Sequence, residues 1–325
     1  MKKGRILSGM RPTGRLHLGN YVGALENWVA LQDQYETFFM VADWHALTTG
    51  YADTSSIKED TRDMVIDWIA AGIDPERSPV FVQSHIKQHA ELHLLFSMII
   101  TTARLERVPT LKEQVRTLKL SETTYGHLGY PVLQASDILV YRADTVPVGE
   151  DQLSHIEVTR ELARRFNSLY GEVFPEPQAK LTKFPRLPGT DGQRMSKSVG
   201  NTILISDPPP VIKKKLRSAV TDPEKIRLGD KGHPEVCLVY TYHGKFNAPE
   251  LKEIERGCRS GELACVPCKE NLSSKISSFF QNLRDRREEM EADPEKVERW
   301  ISEGDDRARH VAEETMEEVR KAMKF

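Results

Sequence analysis

The chain has 325 residues, more than one average domain and enough for two. A formal net charge of −2 with 29% charged residues excludes a generally basic coat, so any contact with RNA must use local basic patches. No apolar run approaches the roughly 20 residues that cross a bilayer, and Met1-Lys2-Lys3-Gly4-Arg5 leads into a short strand rather than a signal-peptide core, so a cytoplasmic protein without membrane attachment is expected.

Ile6-Leu7 reads as a strand, and Thr13-Gly14-Arg15-Leu16-His17-Leu18-Gly19-Asn20 opens a helix in which Leu18, Val22, Leu25 and Val29 recur at helical spacing. His17, Gly19 and Asn20 thus fall at a helix N-terminus. Unpaired N–H groups and the positive end of the helix dipole favour a phosphate there, and a histidine N–H adds a donor. Phe38-Phe39-Met40-Val41-Ala42 and Val80-Phe81-Val82 read as buried strands, residues 56–71 as a helix closed by Gly72, and residues 91–103 as another helix. This alternation predicts βαβ units in a Rossmann-like, doubly wound parallel sheet of the α/β class. Ligands in such sheets sit outside the carboxyl ends of the strands, where His17 and Asp43-Trp44-His45 lie.

Further along, Gly189-Thr190-Asp191-Gly192 precedes Arg194-Met195-Ser196-Lys197-Ser198, a Ser-rich turn whose two cations can be brought to a phosphate as negative charge builds. Asn201-Thr202-Ile203-Leu204-Ile205 is followed by Ser206-Asp207 and Pro208 to Pro210, which read as a hinge. Beyond it, residues 251–255, 272–291, 294–301 and 306–323 alternate charged and apolar positions as surface helices do. The expected division is a catalytic domain over 1–205 and an all-helical domain over 206–325, whose last helix is free to pack back on the first.

The histidine segment and the Lys197 loop, in this order and about 180 residues apart, resemble the paired signatures of class I aminoacyl-tRNA synthetases, which implies ATP chemistry at an α-phosphate. The middle of the chain narrows the resemblance. Tyr130-Pro131-Val132-Leu133-Gln134-Ala135-Ser136-Asp137-Ile138-Leu139, Val146-Pro147-Val148-Gly149-Glu150-Asp151-Gln152 and His155-Ile156-Glu157-Val158-Thr159-Arg160, with Gly19-Asn20-Tyr21-Val22-Gly23-Ala24 and Asp43-Trp44-His45-Ala46, are similar to the tryptophanyl branch. The likeness covers nearly the whole chain.

An indole N–H only donates, so a pocket that selects it needs a buried acceptor. Asp137 lies among Val132, Leu133, Ile138 and Leu139, where a carboxylate either caps a helix or meets a ligand, and the residues alone leave both readings open. The resemblance assigns tryptophan selection to Asp137 and completes the amino-acid pocket with His45, Tyr130 and Gln152. It further implies ATP contacts from Arg11, Pro12, Thr13, Gly19, Asn20, Gly149, Glu150, Asp151, Leu187, Arg194, Met195, Ser196, Lys197 and Ser198, with His17, Asn20, Arg194 and Lys197 bearing on the phosphates and Mg2+ on the pyrophosphate oxygens. Two departures stand out: Arg11 replaces the glutamine of many bacterial relatives, and Arg194 replaces the usual first lysine of the loop, keeping its charge but offering a planar fork. Expected partners are L-tryptophan, ATP, tRNA(Trp) and a second copy in a homodimer, with no DNA.

Cys237, Cys258, Cys265 and Cys268 are every cysteine in the chain and fall within 32 residues, which argues against disulfides spread through the fold. One Cys-x-x-Cys pair with two single cysteines fits a [4Fe-4S] cluster, and Zn2+ is the alternative. The arrangement resembles a subset of tryptophanyl enzymes that carry such a cluster in the helical domain, although the first gap is shorter than is usual there. Arg256, Arg259 and Lys269 beside it are expected to meet the tRNA anticodon. The rival readings are a tyrosyl-tRNA synthetase, a different nucleotidyltransferase, and a non-catalytic paralogue that binds tRNA or senses iron.

Overall fold

The computed structural model describes residues 2–111, 122–181 and 187–325, the side chain of Asp151 excepted. Contacts divide them into two units, one of residues 2–14, 27–181 and 293–325, the other of residues 15–26 and 187–292. The chain therefore passes between units more than once, and its last helix returns to the first, the packing that the sequence reading allows beside its boundary at 205/206.

The first unit is built on five parallel strands: β1 (Arg5–Met10), β2 (Glu36–Val41), β3 (Val80–Val82), β4 (Thr145–Val148) and β5 (Gln178–Leu181). Their order is β3-β2-β1-β4-β5, all parallel, and the order in which strands are added reverses between β1 and β4. This is the Rossmann-like arrangement that the alternation predicts. In β2, Thr37 to Val41 are buried without alternation, as a strand covered on both faces requires. Two helices lie between β2 and β3, Asp43–Gly50 and Ile57–Ala71, and the second ends at Gly72, whose φ of 118° supplies the left-handed turn. The helix expected over 91–103 is instead two, Gln88–Ser97 and Thr102–Leu105. Thr101 parts them, because its extended backbone and its side chain, accepting from the Arg104 N–H, start a new helix.

The last helix, Pro294–Met323, also belongs to this unit and is continuous, where the sequence suggests two pieces. Gly304 lies so close to β3 that a Cβ there would meet the carbonyl oxygen of Val80, and Asp305 accepts from the Val82 N–H at 3.0 Å. That carboxylate occupies an otherwise open donor on the edge strand. Ala308, Ala312, Met316 and Val319 then enter the main core beside Leu92, Phe96 and Tyr141.

The second unit is helical, with Pro209–Arg217, Leu238–Phe246, Leu251–Ser260, Cys265–Phe279 and Gln281–Ala292. The stretch 272–291, expected as one helix, breaks at Phe280, which is 1% exposed and packs edge-on against Tyr21 beside Phe246 and Phe279. Residues 201–205 form a short antiparallel bridge with 16–18: Leu18 N–H donates to Ile203 O, and Ile205 N–H to Leu16 O. Among the described residues no helix is long and apolar enough to cross a membrane.

Candidate functional site

In the second unit, His17 is the N-cap of the helical turn Leu18–Asn20, which runs on through a π-helical turn, Tyr21–Leu25. Its Nδ1 accepts from the Asn20 N–H at 3.2 Å, and Asn20 Oδ1 accepts from the His17 N–H at 3.1 Å. This reciprocal cap settles the tautomer: with Nδ1 an acceptor, the proton of neutral His17 sits on Nε2, which is then a donor. Burial, then the positive charges of Lys197 and Arg194, lower its pKa to about 4, so it is neutral at pH 7. The Cβ that Gly19 lacks would crowd the His17 ring and approach Met195 Sδ.

The loop that supplies those cations is organised by Asn201, which is 4% exposed. Its Oδ1 accepts from the Ser196 N–H at 2.7 Å, and its Nδ2 donates to Arg194 O and to Asp191 Oδ1. Ser196 and Ser198 share a hydroxyl bond of 2.9 Å, and Lys197 opens a short turn, Lys197–Val199, that ends at Gly200 with φ 76°. Leu187 is buried in this unit. The bridge between 16–18 and 203–205 ties the histidine turn to the segment just beyond the loop, so the two share one frame.

In the first unit, the strand ends present the other group. Arg11 and Thr13 are exposed and Pro12 is buried just beyond β1, and the charge of Arg11 helps to lower the His127 pKa after burial. Gly149 caps the turn Glu150–Gln152 that follows β4, with Glu150 exposed and Gln152 half-buried; the Asp151 side chain lies outside the described residues. Tyr130 begins the helix Tyr130–Val140, and its ring meets that of His45 edge-on at 4.5 Å.

Asp137 is the eighth residue of that helix and 1% exposed, so the capping reading falls away. Its Oδ2 lies 2.6 Å from His45 Nε2, and its Oδ1 lies 2.7 Å from both Gln83 Nε2 and His89 Nδ1. Burial opposes its charge, but His45 and His89 overcome that and hold the carboxyl well below the usual range. Gln83 and His89 were not singled out from the sequence. The available signal was a polar residue set immediately after the buried strand Val80–Val82, at the carboxyl end where such sheets bind ligands. A mostly apolar cavity of about 480 Å3 in the same unit is lined by Trp44, Leu47, Tyr51, Ala90, His93 and Leu133 among others, and Asp137 does not line it.

The four cysteines are partly buried in the second unit. Burial and then the charges of Cys237, Cys258 and Cys265 push the Cys268 thiol up to about 12, and Cys258 is raised by burial and by Cys237 and Cys265. The thiols are thus near enough to act on one another, yet among the described residues no group of three or more His, Cys, Asp or Glu side chains is drawn together as metal ligands. Two of the three basic residues expected at RNA are engaged within the protein: Arg259 pairs with Glu235 and Glu255, and Lys269 donates to the carbonyls of Arg217 and Ala219. Arg256 is exposed.

Residues 1–281 match the family described as tRNA synthetases class I (W and Y). The chain is 53% identical over 327 residues to the tryptophan–tRNA ligase of Thermotoga maritima, covering 98% of each, and 43% identical to that of Aquifex aeolicus, covering 98% of this chain and 99% of the other. Among solved structures it is similar to tryptophanyl-tRNA synthetase from Campylobacter jejuni complexed with ADP and tryptophan, with a TM-score of 0.89 and 31% identity over 99% of this chain and 100% of that one.

Proposed function

Because the chain belongs to the class I tRNA synthetases of the tryptophan and tyrosine group, we infer that it is a tryptophan–tRNA ligase, which activates L-tryptophan with ATP and charges tRNA. The observation that carries this reading is the near-full-length identity to tryptophan–tRNA ligases, joined to a buried carboxylate acceptor, Asp137, on the helix Tyr130–Val140. The tryptophan carboxylate attacks the α-phosphate, pyrophosphate leaves, and the acyl group of the adenylate passes to the 3′-terminal ribose of tRNA with release of AMP. No side-chain nucleophile is needed, so positioning and charge stabilisation supply the rate.

We assign the phosphate-directed work to His17, Asn20, Arg194 and Lys197. A neutral Nε2–H donor and two cations suit a phosphate that gains charge as its bonds change. Arg11, Pro12, Thr13, Gly19, Gly149, Glu150, Asp151, Leu187, Met195, Ser196 and Ser198 are assigned to ATP, which enters with Mg2+ on its pyrophosphate oxygens. Asp137, with His45, Tyr130 and Gln152, is assigned to tryptophan. Tryptophan-dependent exchange of labelled pyrophosphate into ATP tests the activity, and exchange with tyrosine in its place would reverse the substrate.

The four thiols suit a [4Fe-4S] cluster by donor type and by their place in one stretch of the second unit. Cys237, Cys258, Cys265 and Cys268 would hold it, and its service is to cross-link the segment they span. About four irons per chain, with a broad visible band in anaerobically purified protein, is the expected result, and one zinc instead would replace the cluster. ATP and tRNA as substrates support a cytoplasmic location.

A second copy of the chain is the partner we assign to the apolar face of the first unit. Leu94 and Met98, one turn apart, are 56% and 70% exposed, and Tyr125 is 67% exposed beside the lining residues Thr124 and Gly126 of the apolar cavity. An exposed patch of this kind marks an interface, and an isologous contact buries it twice.

A further inference from the structure

An ionised carboxylate offers about four acceptor positions, two on each oxygen. On Asp137, Oδ1 is met by Gln83 Nε2 and by His89 Nδ1, both at 2.7 Å, and Oδ2 by His45 Nε2 at 2.6 Å. Three positions are therefore filled by the protein's own donors and one, on Oδ2, is left. Behind His89 stands Tyr141, whose hydroxyl lies 2.8 Å from His89 Nε2 and is fully buried. That hydroxyl has no other hydrogen-bond partner among the described residues, and a buried O–H must donate, so it donates to Nε2. The same bond leaves the His89 proton on Nδ1, facing the carboxylate. Burial and the charge of Asp137 raise the Tyr141 pKa well above its ordinary value, so the hydroxyl keeps its proton.

We propose that Tyr141, His89 and Gln83 are positioning residues for amino-acid specificity: the relay Tyr141 to His89 to Asp137, with Gln83 beside it, saturates Oδ1 and leaves Asp137 a single acceptor for the N–H of the substrate ring. The inference rests on the reading of Asp137 as the tryptophan-selecting residue. It explains why three donors are spent on one buried carboxylate. A carboxylate free to rotate could accept from ligands of several shapes or take in water, whereas one held by three donors accepts along one direction and rejects a ring that brings no N–H.

The test compares tryptophan with its benzothienyl isostere, in which sulfur replaces the ring N–H, by pyrophosphate exchange with wild type, Tyr141→Phe and Gln83→Met. Wild type is expected to prefer tryptophan strongly. Tyr141→Phe and Gln83→Met are each expected to lower kcat/KM for tryptophan by about tenfold or more, mostly through KM, while leaving the isostere within about twofold, so that the preference shrinks. If both substrates lose equally in a variant that melts like wild type, the network only packs the core and the proposal is overturned. If Tyr141→Phe does not fold, Gln83→Met alone decides by the same comparison. A wild type that takes both substrates equally would instead sink the reading of Asp137 itself, a result the variants cannot mimic.

Discussion

At His17 a helix cap decides which ring nitrogen carries the proton. Asn20 N–H donates to Nδ1, so the proton sits on Nε2, the donor that the phosphate role proposed for His17 uses, and the low pKa keeps the ring from adding a second proton. Two outcomes follow. His17→Ala should slow amino-acid activation by about 10²–10³ through loss of one preorganised donor, measured as single-turnover adenylate formation. The stability sign is also set: the folded pKa of about 4 lies below the ordinary 6.5, so the unfolded chain binds more protons between these values. The His17 contribution is thus unpenalised above about pH 6.5 and declines as pH falls toward about 4. Urea midpoints of wild type and His17→Gln should converge as pH is lowered, with wild type losing more.

The loop at 194–198 owes its shape to one buried amide, since Asn201 joins Ser196 N–H, Arg194 O and Asp191 Oδ1. Asn201→Ala should lower kcat for activation by about tenfold or more while KM for tryptophan stays near that of wild type, because the cations lose their frame and the amino-acid group does not. In the other unit, the long C-terminal helix approaches β3 only because position 304 has no side chain. Gly304→Ala should destabilise the protein by roughly 1–3 kcal/mol in denaturant unfolding, since the added methyl must push the helix off Val80 and strain the Asp305 bond to Val82. Of these elements, the strands Glu36–Val41 and Val80–Val82 and the helix Ile57–Ala71 could be read from apolar runs and the closing Gly72, because local patterning dictates them. The breaks at Thr101 and Phe280 could not, because a cap and an aromatic cluster decided them against a continuing helical pattern.

The apolar face around Leu94, Met98 and Tyr125 makes a prediction for the whole molecule. Light scattering should give twice the chain mass, and Leu94→Glu with Met98→Glu should give monomers with reduced tRNA charging, since two buried carboxylates at a self-complementary contact are each paid for twice over. The crossings between units near residues 14 and 26 have no counterpart in the expected boundary at 205/206, because covalent order does not say which unit a short segment packs into, whereas the return of the last helix to the first unit is the packing the sequence reading allows. The parallel α/β sheet was legible in the sequence because local periodicity acts over a few residues, and residue type and spacing nominate His17, the Lys197 loop, Asp137 and the cysteines as candidates. The partners of Asp137 come from positions 45, 83 and 89, with Tyr141 behind them, and the loop's frame comes from Asn201. Those were decided only by the tertiary structure, since a hydrogen bond between residues up to 92 positions apart leaves no local pattern until the helices that carry them pack together.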